Sequence, residues 1–205
     1  MFPLMNNYNL ADIEEFFYKN KGFAKTGDLM RFGINTYRIK ELEVNGFITK
    51  LKQGLYRWVD YPVSNNEDLV EVSIILPKGV ICLLSALSFY ELTTYTPWEY
   101  YVALPRKYNK SNIADYPPIK VVYFSDIHYF GGINEIDING HNIKIYDMEK
   151  TLCDCIRYKD KIGVDIVKES LNEYMKRSDK NIEKLVDYSE KFRVKTKLQS
   201  YLEVL

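Results

Sequence analysis

Cysteine is scarce in this chain: Cys82, Cys153 and Cys155 are the only three in 205 residues. Their odd number, and the single residue between the last two, exclude a disulfide framework of the secreted kind, so reduced thiols in a cytoplasm are expected. Long apolar runs are also missing. The longest, Val80 to Leu84, falls far short of the roughly 20 residues that span a bilayer. The opening MFPLMNNYNL has neither the basic flank nor the apolar centre of a signal peptide. No membrane partner is expected.

Catalytic and metal-binding patterns are equally thin. The two histidines, His128 and His141, lack metalloprotease spacing. Cys153 and Cys155 fall on a predicted helix, where positions i and i+2 point apart, so no metal site is expected. No glycine-rich loop precedes a lysine, and no G-x-S-x-G elbow is present. Gly131-Gly132 followed by Glu135 and Asp137 invites comparison with nucleotidyltransferases. The acid pair comes too soon after the glycines, and Asn139-Gly140 makes it part of a hairpin. The expectation is a protein with no catalytic residues and no cofactor.

Net charge is zero, with 28 basic and 28 acidic residues, but the charge is unevenly spread. Residues 1–60 sum to +2, residues 61–149 to −5 and residues 150–205 to +3. Between Lys19 and Arg57 nine basic residues face three acids. Cations that displace counterions from phosphate supply most sequence-independent affinity for a duplex, so this stretch suits nucleic acid.

The same stretch has a readable plan. Thr26 to Phe32 suits a short helix, which Gly33 punctuates. Asn35 can cap a second helix through about Asn45, and Gly46 stops it. Phe47 to Val59 reads as two strands around Lys52-Gln53-Gly54. An earlier helix, capped by Asn9 or Asp12, places Ile13, Phe16 and Phe17 on one face. Helix, turn, helix and hairpin make up a winged helix-turn-helix, whose second helix enters the major groove while the hairpin touches the backbone. Ile39 and Leu42 form that helix's buried stripe, which turns Tyr37, Lys40, Glu41 and Val44 outward. Thr36, Tyr37, Arg38 and Lys40 are therefore the expected groove contacts, with Lys50, Lys52 and Arg57 on phosphate. The other reading of this surface is a non-catalytic module whose winged helix and acidic middle bind a partner protein.

A domain boundary is expected at Tyr61-Pro62 and Ser64-Asn65-Asn66, dividing a DNA-binding unit, residues 1–61, from a second domain, residues 66–205. The second domain should be α+β. It opens with a helix over Glu67 to Ile75 and a strand over Val80 to Leu84, and Ser85 caps a helix through Leu92. Extended segments follow at Glu99 to Leu104, Lys120 to Phe124, Ile133 to Ile138 and Asn142 to Tyr146. Asp147 caps the next helix, where Met148, Thr151, Leu152, Cys155 and Ile156 line one face. Helices at about Val164 to Arg177, Ile182 to Lys191 and Lys195 to Val204 finish the chain. Lys150 and Asp154, at i and i+4, can pair.

These pieces carry a resemblance. Gly33-Ile34, Asn45-Gly46-Phe47-Ile48 and Gly54-Leu55-Tyr56 match in order and spacing. So do Leu84-Ser85-Ala86-Leu87 with Tyr90-Glu91-Leu92, and Glu149-Lys150-Thr151-Leu152 with Asp154. Over nearly its full length the chain resembles the AbiEi-type antitoxins, the transcriptional-regulator half of type IV toxin–antitoxin and phage abortive-infection systems. Many relatives carry a proline where Asp147-Met148 stands here. The resemblance implies an N-terminal reader that represses its own operon, acting on an inverted repeat if two copies bind. It also implies a C-terminal domain that opposes a nucleotidyltransferase-like toxin. Ser85, Glu149, Lys150 and Asp154 are the expected polar patch of that domain.

Overall fold

The computed structural model describes residues 9–62, 66–108 and 116–203. The fold is mixed α+β with two sheets. Ser64 and Asn65 of the expected linker lie outside the described residues, as does Val204 of the expected last helix.

The first unit begins with α1, Leu10–Lys19. Asn9 caps it by accepting the Asp12 N–H at 2.9 Å, and Asp12 accepts the Asn9 N–H in return, so both expected caps act together. β1, Phe23–Lys25, leads into α2, Thr26–Phe32. Gly33 then takes a left-handed conformation, φ 103°, that ends α2 at little steric cost. Asn35 accepts the Arg38 N–H at 2.8 Å and starts α3, Thr36–Val44. β2, Ile48–Lys52, and β3, Leu55–Trp58, follow as a hairpin. β1, three residues too short to show a period, joins β3, giving an antiparallel sheet of order β1-β3-β2. Ile13, Phe17, Leu29, Ile34, Ile39, Leu42, Ile48 and Trp58 share the core beneath. Burying each such side chain contributes about 1.5–3 kcal/mol.

The second unit opens with α4, Glu67–Ile75. β4 is only Val80–Ile81, because Cys82 already caps α5, Leu83–Phe89. Ser85 is therefore inside α5 and not its cap: its Oγ accepts the Tyr101 N–H at 2.8 Å. β5, Tyr100–Pro105, and β6, Ile119–Phe124, precede a short α6, Asp126–Tyr129. β7, Ile133–Ile138, and β8, His141–Tyr146, form the predicted hairpin, with Asn139 and Gly140 both at positive φ. The tail comprises α7, Met148–Arg157, α8, Lys159–Ile162, α9, Val164–Lys176, α10, Ile182–Lys191, and α11, Lys195–Leu202.

The larger sheet has the order β6-β5-β4-β8-β7. Strand residues alternate between its faces. Val80, Ala103 and Tyr146 pack with α5, α7 and the helical tail. Ile81, Val102, Leu104, Ile143 and Ile145 pack on the opposite side with α4. Phe23, Leu51 and Leu55 of the first unit belong to that second cluster. The two units thus share this apolar cluster, with α4 lying between the β2–β3 hairpin and β8. Lys21 adds a hydrogen bond to the Gly140 carbonyl, and the Phe23 ring meets His141 edge-on at 5.3 Å.

Candidate nucleic-acid interface

α3 buries Ile39 and Leu42 and leaves the rest of its surface outward. Tyr37 and Val44 are each 77% exposed, and Thr36 and Lys40 are exposed beside them. Arg38 is half-buried and pairs with Glu41 at 2.7 Å. Such an i,i+3 pair is worth about 0–1 kcal/mol, whereas a bidentate base contact is worth about 1–3 kcal/mol. The guanidinium can therefore leave Glu41 for a better acceptor.

The hairpin brings Lys50 up to α3. Thr36, Lys40, Glu43, Lys50 and Tyr56 line a shallow cleft of about 260 Å³ between them. Neither Lys40 nor Lys50 has an ion-pair partner among the described residues.

Lys52 and Arg57 face the other way. Lys52 donates to the Ile75 carbonyl at 2.8 Å, and burial, then the charge of Lys25, lowers its pKa. Arg57 pairs with Glu71 at 2.7 Å and approaches Glu67 at 3.7 Å. Both cations hold the hairpin against α4. Of the seven predicted residues, Thr36, Tyr37, Arg38, Lys40 and Lys50 belong to the outward surface.

The residues of the expected polar patch are placed inside the second unit. Ser85, Glu149, Lys150 and Asp154 are all buried. Lys150 pairs with Asp154 and lies among three rings, its Nζ 4.4 Å from the Tyr146 centroid, 4.6 Å from Phe192 and 5.0 Å from Phe124. Burial pushes the Asp154 carboxyl up to about 6, against the opposing charge of Lys150. Glu149 accepts from Tyr174 Oη at 2.7 Å and meets Lys184 at 3.6 Å. Asp147 caps α7 through the Lys150 N–H at 2.8 Å. These groups join α7 to α9 and α10, and Ser85 is held separately on α5. All of these contacts are internal to the second unit.

The glycine–acid stretch also has a packing role. A Cβ on Gly132 would lie 2.7 Å from the Lys150 Cβ, and its φ of +72° favours glycine. Asp137 accepts the Gly140 N–H at 2.9 Å, and Glu135 accepts from Asn142 at 2.8 Å, so both acids brace the β7–β8 hairpin. All three cysteines are free and buried, and burial pushes the Cys153 thiol up to about 12. No group of three or more metal-ligating residues gathers among the described residues. No helix among them is long and apolar enough to cross a membrane.

No family model and no curated protein matches the chain. Among solved structures it is similar to that of the RV2827C protein from Mycobacterium tuberculosis, with a TM-score of 0.56 and 12% sequence identity. The similarity covers 93% of this chain and 79% of the other. At that identity the likeness concerns the fold: both chains carry a related mixed α+β arrangement.

Proposed function

We propose that the first unit is a winged helix-turn-helix that reads duplex DNA, with α3 in the major groove and the β2–β3 hairpin as the wing. The observation that carries this reading is the outward surface joining α3 to the hairpin, where Thr36, Lys40 and Lys50 share one cleft and neither lysine has an ion-pair partner among the described residues. Thr36, Tyr37, Arg38 and Lys40 face the bases, and Lys50 meets phosphate. With the resemblance to AbiEi-type antitoxins, the chain is then a non-catalytic cytoplasmic repressor of its own operon. Its second unit opposes a nucleotidyltransferase-like toxin.

The test uses the full chain carrying Arg38→Ala and Lys40→Ala together. At about 1–3 kcal/mol per contact, the pair should weaken binding to the upstream region of its own gene by on the order of 100-fold or more. Circular dichroism should remain that of the parent, as should relief of growth arrest caused by the toxin. A double variant that holds this DNA as tightly as the parent would overturn the assignment of α3. The exposed Tyr37 and Val44 favour one other reading, a protein partner on the same surface. Salt separates the two: phosphate contacts weaken steeply as salt rises, and an apolar interface does not.

A further inference from the structure

A second cationic feature lies within the other unit, in a cleft that the DNA reading does not use. It is a cavity of about 530 Å³ where α6, the end of α7, the end of α10 and the start of α11 meet. Arg157, Lys191, Arg193 and Lys197 stand around it, and among the described residues no acid lines it. None of the four has an ion-pair partner among the described residues. Arg157 and Lys191 also complement the negative ends of their own helices. Arg193 and Lys197 have no such duty. Arg193 sits in a left-handed turn, φ 59°, between the buried Phe192 and Val194.

The start of α11 adds a further attraction for negative charge. Val194 caps this eight-residue helix with no side-chain hydrogen bond, which leaves the first N–H groups without a side-chain acceptor. Val194 and Lys197 of this first turn are part of the cavity wall. Apart from the His128 imidazole, the remaining wall is apolar. Phe192 packs on His128 with ring centroids 5.0 Å apart and on Tyr188 at 5.4 Å, and Ile127 is exposed beside it.

We propose that this cleft binds a small ligand bearing an oligophosphate, either a free chain or that of a nucleoside triphosphate. Four exposed cations around one concavity give it a positive potential that attracts an anion of comparable charge. A helix start with open N–H groups adds donors suited to phosphate oxygens. The volume falls within the range of small-molecule sites, and the concave shape does not suit a convex duplex. Ile127, 56% exposed, offers an apolar surface to a base. His128 remains neutral near pH 7, because burial and then the charges of Arg157, Lys150 and Arg106 hold its pKa down to about 4. The fixed charges are therefore those of the lysines and arginines.

Isothermal titration of the full chain at low salt, with sodium tripolyphosphate and separately with ATP, tests the proposal. Both probes should bind, more weakly as salt rises. Arg193→Gln with Lys197→Gln should lower affinity at least 10-fold without altering circular dichroism. Lys168→Gln, an exposed change on α9, should bind like the parent. Equal affinity for the two probes would make the phosphate chain the recognised group, and tighter ATP would add a base on Ile127. Either result keeps the site. Failure of both probes to bind at millimolar concentration would overturn it, as would binding indifferent to the double substitution. So would duplex DNA that displaces the probes and loses equal affinity in the double variant, because the cleft would then belong to a nucleic-acid surface.

Discussion

Arg57 has 21% of its side chain exposed, and the Glu71 carboxylate it meets is almost wholly buried. Burial raises the Glu71 pKa, and the hydrogen bond and charge of Arg57 oppose that rise. Removing the arginine would leave a buried carboxylate without its cation. Arg57→Ala is therefore expected to lower stability by about 3 kcal/mol, the low end for breaking a buried pair because Arg57 keeps some solvent contact. Urea unfolding measures this directly. A variant of unchanged stability, with its log K against log salt slope for DNA reduced by about one unit, would return Arg57 to phosphate. Charge counting between Lys19 and Arg57 could not separate this residue from Lys50. Glu71 on α4, 14 residues away in sequence, decides which of them is covered.

α7 is the element on which the second unit is built. Every residue from Glu149 to Ile156 is buried, although three of them carry ionisable acids or an amine. Its apolar positions and the Asp147 cap were legible, since both depend on spacings of three or four residues. The burial of its polar positions was not, because it requires Phe124, Tyr146 and Phe192, which come from two strands and a distant turn. Lys150→Met should cost about 3–5 kcal/mol by leaving Asp154 uncompensated, and adding Asp154→Leu should recover most of that loss. Urea unfolding of the single and double variants provides the check. A double variant as unstable as Lys150→Met alone would show that the two charges are not coupled.

At the scale of the whole molecule, the two sheets lie on either side of residues 61–66, yet Phe23, Leu51 and Leu55 complete the core around α4. The boundary expected between residues 61 and 66 separates the two units in sequence only. The shared core, the Arg57–Glu71 pair and the Lys21–Gly140 bond argue for units that fold together. Residues 1–62 and 66–205, produced as separate chains in one cell, are expected to co-purify as one complex. The second fragment alone should aggregate or bind a dye for exposed apolar surface. Two monomeric fragments, each unfolding cooperatively by itself, would refute this.

The sequence by itself determined the kind and order of nearly every element: the Asn9, Asn35 and Asp147 caps, the Gly33 and Asn139-Gly140 turns, and the Ile39 and Leu42 stripe of α3. Each depends on backbone and side-chain groups within a few residues of one another, so local chemistry is sufficient. Short elements escaped, notably β1 and α6, because three or four residues carry no period. Tertiary structure alone decided which cations face solvent, that Lys150 and Asp154 are internal, and that Arg157, Lys191, Arg193 and Lys197 surround one cavity. Those outcomes depend on packing between segments far apart in the chain, and a charge has the same sequence signature whether a distant helix covers it or water does.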